Sequence, residues 1–295
     1  MMIPENIEEN LHYIELFTRK RIRNPLVGNH ISMLKGHGYD FWDHKQYQRG
    51  DDTRKIDWNA TARMGVTLVK NTHEEKDVDI FVVADMSDSM GFVTGEFSKR
   101  EVLLYITAAL TFSALADNMR VGFIGFADRV ELEIEPRKDR GHLWAILNRV
   151  WDFKPRPHRS TRIVPALESI RQRLKKMSIL FLVSDFLYRE NMFETMVFQH
   201  VASHHDLIPI VLSDAYEANL PRGRGYLRLQ DLETGRSQCV RLSDRNRLAY
   251  AEYLRKKERG LRQQFYRFGL DFQSVQTDQP FYELVLSLFL MRKRS

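Results

Sequence analysis

The sequence predicts an α/β fold built on an open, mostly parallel β-sheet with helices on both faces, preceded by an N-terminal extension. From residue 79 onward, short β-branched runs alternate with longer helical patterns, as parallel strands joined by crossover helices require. Most of those runs are nearly continuous apolar stretches, which suits strands covered on both faces rather than half-exposed ones. With 43% hydrophobic and 28% charged residues over 295 positions, the chain has enough apolar content for a globule of one or two domains.

The division expected is an extension over 1–78 packed on a main domain over 79–295. The extension opens with a helix over 5–17 and continues into a glycine- and polar-rich stretch over 28–57 that has no clear periodicity. Within it, Gly36-His37-Gly38 reads as a turn, because no strand precedes it and no helix follows, as a phosphate loop needs. In the main domain, strands are expected over 80–84, 121–126, 179–184, 207–212 and 272–275. A helix over 98–118 places Val102, Ile106, Ala109, Leu110 and Ser113 at helical spacing. A second, over about 162–176, aligns Val164, Leu167, Ile170, Leu174 and Met177, with Thr161 as its expected N-cap and Pro165 tolerated in the first turn. Residues 130–135 read as an antiparallel edge strand, and 226–242 as a hairpin around Glu233-Thr234-Gly235-Arg236. Helices over 244–268 and 281–291 complete the chain.

Composition narrows the function classes. One cysteine, Cys239, excludes an internal disulfide framework and a cysteine-based zinc site, and fits a reducing, cytoplasmic compartment. The longest apolar run, from Tyr105 to Ala116, is interrupted by hydroxyls and ends at Asp117, short of the roughly 18–20 residues a membrane helix needs. The first ten residues are acidic where a secretory leader is basic and then apolar, so no membrane or export role is expected. The net charge of +6 is a modest excess, and its basic clusters, at 19–23, 255–257 and 292–294, are short and scattered. They read as solvated surface, and nucleic acid as a disfavoured partner.

The chemistry concentrates after the first strand of the main domain, in Asp85-Met86-Ser87-Asp88-Ser89-Met90. Open parallel sheets bind ligands at the carboxyl ends of their strands, where this loop falls. Asp85, Ser87 and Ser89 stand two residues apart, and a loop can turn all three toward one point. Thr161, at the start of a helix, and Asp185, directly after a strand, occupy comparable positions. Carboxylate and hydroxyl oxygens suit a hard cation such as Mg²⁺, with Mn²⁺ or Ca²⁺ as alternatives, and the lack of nearby His or Cys argues against zinc. An ion held mostly by neutral hydroxyls keeps much of its charge and an open position, which a Glu or Asp of a partner protein would fill. The plain alternative is that Asp85 and the serines merely cap the following turn. Thr161 and Asp185 in register favour the metal.

These residues resemble the metal-ion-dependent adhesion site of the von Willebrand factor A-like fold, a Rossmannoid sheet, over roughly 79–278. A more particular likeness lies upstream: Gly38-Tyr39-Asp40-Phe41, Tyr47-Gln48-Arg49-Gly50-Asp51-Asp52, Arg54-Lys55-Ile56-Asp57-Trp58, Ala62-Arg63 and Val69-Lys70. With the Asp85 loop, this string resembles the bacterial domain-of-unknown-function family fifty-eight. It departs from the family at His44-Lys45-Gln46, where an arginine commonly stands two residues before the tyrosine. The resemblance implies a non-catalytic adaptor or co-chaperone acting beside a MoxR-type AAA+ ATPase in the maturation of other protein complexes. The residues themselves read Asp51, Asp52 and Thr53 as caps of a local turn, with Arg54 pairing to Asp57.

The main rival is a metal-dependent phosphatase or phosphotransferase using Asp85, since haloacid-dehalogenase-like enzymes also place an aspartate after a hydrophobic strand. They generally put a second aspartate two residues on as general acid, and Ser87 is a poor proton donor in that place. A serine hydrolase is opposed by the lack of Gly-x-Ser-x-Gly. His204-His205 reads as an exposed helix end rather than a metal pair, because adjacent side chains diverge.

Overall fold

The protein's structure is a computed structural model that describes residues 3–21, 40–48, 51, 53, 56–73, 78–91, 93, 95–156, 160–187, 190–214, 220–230 and 237–278. The chain forms two compact units, Met1–Leu26 with Val78–Ser295, and Val27–Asp77. The 1–78 segment thus gives its first helix to the larger unit, and residues 27–77 form a unit of their own.

The larger unit is built on six strands in the order β10-β7-β6-β3-β4-β5. These are β3 (Asp79–Asp85), β4 (Val121–Phe126), β5 (Val130–Arg137), β6 (Ser178–Ser184), β7 (Asp206–Ser213) and β10 (Gln273–Gln276). All neighbours pair in parallel except β4 and β5, which form an antiparallel edge. The five strand cores read from the sequence are therefore present, and so is the edge strand. The chain leaves β3 for β4 on one side and later returns to β6 on the other, so β3 and β6 flank the switch point where such sheets bind ligands.

Burial on both faces follows the alternation of side chains along the strands. Phe81, Val83, Leu180, Leu182, Ile124 and Phe126 belong to one core cluster. Against it lie α5 (Val164–Arg173), α6 (Met196–His204) and α7 (Asp244–Arg267), through residues such as Leu167, Phe198 and Phe265. Helices α1 (Glu5–Arg21), α3 (Lys99–Ala116) and α4 (Arg140–Asp152) pack on one another. Ser98 and Glu101 close a capping box at the start of α3, and Arg140 binds Glu15 through two hydrogen bonds of 2.7 and 2.9 Å that fasten α1 to α4.

One helix start departs from expectation. Helix α5 begins at Val164, two residues past the expected start, and Thr161 does not cap it. Its first free N–H groups, those of Ile163 and Val164, donate to the Glu190 carboxylate at 2.5 and 3.1 Å. A cap from a residue distant in the chain replaces the local one, and this removes Thr161 from helix capping.

The hairpin β8 (Gly225–Gln230) and β9 (Ser237–Leu242) forms a separate two-stranded sheet, with its expected turn at 233–236 outside the described residues. The expected 281–291 helix and Gly36-His37-Gly38 also fall outside them. In the smaller unit, β1 (Asp40–Gln46) pairs antiparallel with β2 (Leu68–His73), and α2 (Trp58–Met64) lies between them in sequence. Asp57 caps α2 by accepting from Asn59 and Ala60 N–H, and Gly65 ends it at φ +70°, a left-handed position suited to glycine. Asp51 accepts from the Gln48 N–H at 2.9 Å, a local turn cap as its sequence context suggests, while Asp52, Arg54 and Lys55 lie outside the described residues.

Gly122 in β4 marks where packing tolerates no side chain. A Cβ there would stand 2.5 Å from the Phe81 ring and 2.9 Å from the Ile134 carbonyl oxygen. Overpacking of this kind costs about 1–3 kcal/mol. Gly122→Ala is expected to lower the unfolding free energy by that amount, read as a lower urea midpoint at unchanged m value, and an unaltered midpoint would show that the β4–β5 edge can relax.

Candidate metal centre

Strand β3 ends at Asp85, a residue with no solvent exposure. Both oxygens of its carboxylate are held: Oδ1 accepts from the Ser87 N–H at 2.9 Å, and Oδ2 from the Ser184 hydroxyl at 2.8 Å. The loop then turns through a short 3₁₀ segment, Asp88–Gly91, anchored by Met86 N–H to the Phe126 carbonyl at 2.7 Å and Met90 N–H to the Ser87 carbonyl at 3.1 Å. Gly125 makes room beneath the loop, since a Cβ there would lie 2.9 Å from the Met86 sulfur. The turn brings the hydroxyls of Ser87 and Ser89 within 3.0 Å of each other.

Asp185 enters from the end of β6. Its Oδ1 accepts from the Leu187 N–H at 3.1 Å, and its Oδ2 from the Lys99 ammonium at 2.9 Å. Phe186, next in sequence, adopts φ +54°, a conformation that costs a non-glycine residue energy and so needs support. Its N–H donates to the Ser184 hydroxyl at 3.0 Å, and its ring meets Phe265 of α7 edge-on at 5.4 Å. Asp85, Ser87, Ser89 and Asp185 are thereby connected through hydrogen bonds, adjoining strands and the mutual repulsion of the two carboxylates. Thr161, 4% exposed, lies on a segment pinned by Arg162 N–H to the Ala127 carbonyl at 2.8 Å, just past the end of β4, the strand beside β3.

Two participants escaped the sequence reading. Ser184 was counted only as the last residue of a strand, yet it holds Asp85 and shapes the loop after β6. Lys99 is fully buried, and its ammonium sits on Asp185. It did leave a trace, since a lysine in the first turn of a helix opposes the helix dipole and needs another reason to be there.

The electrostatics are those of a site short of positive charge. Burial first, then the charge of Asp185, push the Asp85 carboxyl up from 3.8 to about 7, against the hydrogen bonds from Ser87 and Ser184 that lower it. Among the described residues, no three His, Cys, Asp or Glu side chains gather to hold a metal. The donor set is instead carboxylate plus hydroxyl, which suits hard cations. In donor chemistry these residues fit a hard cation such as Mg²⁺.

The histidines at 204 and 205 differ from expectation in one respect. His204 ends α6 at the surface, but His205 is buried, its pKa pushed down to about 4 by burial first and then by His204 and His200.

A raised carboxyl pKa makes the folded chain hold a proton that the unfolded chain releases, so stability falls as pH rises from about 4 through about 7. In chelator, Asp85→Asn is expected to unfold at higher denaturant than the wild type at pH 8, with the gap closing toward pH 4. A gap independent of pH would show that Asp85 is not under this strain.

The sequence profile described as Protein of unknown function DUF58 matches residues 43–260. An uncharacterised protein of Mycobacterium tuberculosis is 26% identical over 227 residues, covering 76% of this chain and 70% of the relative. Among solved structures, the conserved hypothetical protein BatB of Bacteroides thetaiotaomicron aligns at TM-score 0.48 and 16% identity, over 73% of this chain and 99% of that one. The SpRpn10 VWA domain aligns at TM-score 0.43 and 11% identity, over 71% and 94%.

Proposed function

The chain belongs to the family described as Protein of unknown function DUF58, and we propose that it is a von Willebrand factor A-like, non-catalytic module that binds a partner protein through a divalent cation. Asp85, Ser87, Ser89, Thr161 and Asp185 would hold the ion, Mg²⁺ with Mn²⁺ or Ca²⁺ as alternatives, since carboxylate and hydroxyl oxygens suit hard cations. When bound, the ion supplies a Lewis-acidic position for an oxygen ligand from outside.

The observation that carries this reading is the charge count in the site. Two buried carboxylates, Asp85 and Asp185, share one ammonium, that of Lys99 on Asp185, and with both ionised leave a net charge of −1. A divalent ion would turn that to +1, and a Glu or Asp of the partner would bring it to neutrality. Lys99 thus ties metal binding to acid binding, because neither charge state without both is balanced in a desolvated place.

Phosphoryl transfer through Asp85 has no comparable support, since the general acid that such enzymes place two residues on is here Ser87, a poor proton donor. The proposed partner, a MoxR-type AAA+ ATPase, and the role in maturing other complexes rest on the family resemblance. A cytoplasmic site of action rests on the single cysteine; among the described residues, no helix is long and apolar enough to cross a membrane.

Two outcomes test the proposal. By calorimetry, Mg²⁺ or Mn²⁺ binds the wild type, and Asp85→Ala weakens binding by about a hundredfold or more with an unchanged circular-dichroism spectrum. On immobilised protein, a MoxR-type ATPase is retained in Mg²⁺ and released by EDTA. Retention that survives both EDTA and Asp85→Ala contradicts the mechanism.

A further inference from the structure

Beside Asp185 opens a cleft of about 650 Å³ that metal chemistry alone does not explain. One wall is the segment after β6, with Phe186, Leu187, Met192 and Phe193, and its base is the end of β7, with Val211 and Asp214. The other wall is one side of α7, where Ala251, Leu254, Glu258 and Leu261 recur at helical spacing. The floor is held open by a fixed aromatic lattice: Phe265 meets Phe186 at 5.4 Å and Phe193 at 5.7 Å, and Phe193 stacks on Phe268 at 6.0 Å. The volume lies within the range of preformed ligand sites, and the apolar lining with a few polar groups is of the same kind.

The charge of this cleft is not what its composition suggests. Three of its four acids meet a cation, Asp185 with Lys99 at 2.9 Å, Glu190 with Arg162 at 3.7 Å and Glu258 with Arg262 at 2.7 Å, and the fourth, Asp214, accepts from the Thr277 hydroxyl at 2.9 Å. Its two cations, Arg255 and Lys257, have no carboxylate partner among the described residues, and Lys257 rests over the Tyr253 ring at 5.7 Å. Helix α7 as a whole carries eight Lys and Arg against three Asp and Glu, while the entire chain is only +6. Basic charge dispersed in sequence is thus concentrated on the element that walls the cleft.

We infer that this cleft holds the stretch of an acidic partner protein adjoining the residue donated at Asp185, with Arg255 and Lys257 pairing with its further acids and Leu254 and Leu261 receiving an apolar side chain. The inference rests on the metal reading for its register, since the cleft begins at a proposed ligand. Charge complementarity chooses an acidic occupant, and the apolar floor chooses a peptide over a nucleic acid, whose phosphates would gain nothing from Phe186, Met192 and Leu261.

The probe is a fluorescein-labelled peptide, Leu-Glu-Glu-Leu-Glu-Glu, titrated against the full chain in Mg²⁺ and read by anisotropy, with a Leu-Gln-Gln-Leu-Gln-Gln control and oligothymidylate as competitor. The acidic peptide binds saturably, and Arg255→Glu with Lys257→Glu weakens it by about tenfold or more while calorimetric Mg²⁺ affinity stays the same. Leu261→Ser gives a second, uncharged variant with a loss in the same direction. Absence of saturable peptide binding, equal binding of the Gln control, indifference to the double charge reversal, or displacement of the peptide by oligothymidylate overturns the inference. Failure of the wild type to bind Mg²⁺ would instead defeat the metal reading, and the effect of the charge reversal on the peptide would still stand or fall by itself.

Discussion

Two carboxylates that repel one another inside a desolvated pocket set the terms for everything around them. Asp85 and Asp185 end neighbouring parallel strands, so the sheet brings their charges together whether or not anything neutralises them. Taking charge out of water costs several kcal/mol per ion unless partners compensate. The neighbourhood is organised accordingly: backbone N–H groups of Ser87 and Leu187, the Ser184 hydroxyl and the Lys99 ammonium all point at carboxylate oxygen. These contacts lessen the strain without removing it, as the raised Asp85 carboxyl shows. It is this remaining imbalance on which the proposal of a bound cation rests.

Much of this was legible in the chain before its structure. The strands announced themselves because parallel strands buried on both faces are written as unbroken apolar runs, and Asp85 and Asp185 stood out because each follows such a run directly. What stayed hidden depended on residues far apart in sequence. The start of α5 was misread because its cap is the Glu190 carboxylate, which no local pattern reveals. The role of Lys99 depends on Asp185, 86 residues further on, whose carboxylate its ammonium meets. His205 looked exposed beside His204, yet the turn from α6 into β7 buries it.

The cleft was hidden for a different reason. The cluster at 255–257 reads as solvated surface when judged by length, and the acids nearby seem to cancel it. Only the pairing pattern shows otherwise, since Glu258 meets Arg262 and Glu190 meets Arg162, while Arg255 and Lys257 line the opening with no carboxylate partner among the described residues. Charge spread thinly along a sequence becomes local once a helix presents it beside an apolar hollow. In the proposed reading, metal site and cleft would divide the work in the usual manner of interfaces: a single strong, oriented contact would supply attachment, and a shaped, charged surround discrimination.

Anomalous diffraction from crystals grown with Mn²⁺ tests the central claim most directly. The account predicts one strong peak touching the hydroxyl oxygens of Ser87 and Ser89 at about 2.1–2.2 Å, with Asp85 and Asp185 around it and the Lys99 ammonium displaced from none of its present contacts. A map without that peak, in which Lys99 alone bridges the two carboxylates, would contradict it: the lysine would then be the site's only cation, and no ion would be left to receive a partner's acid.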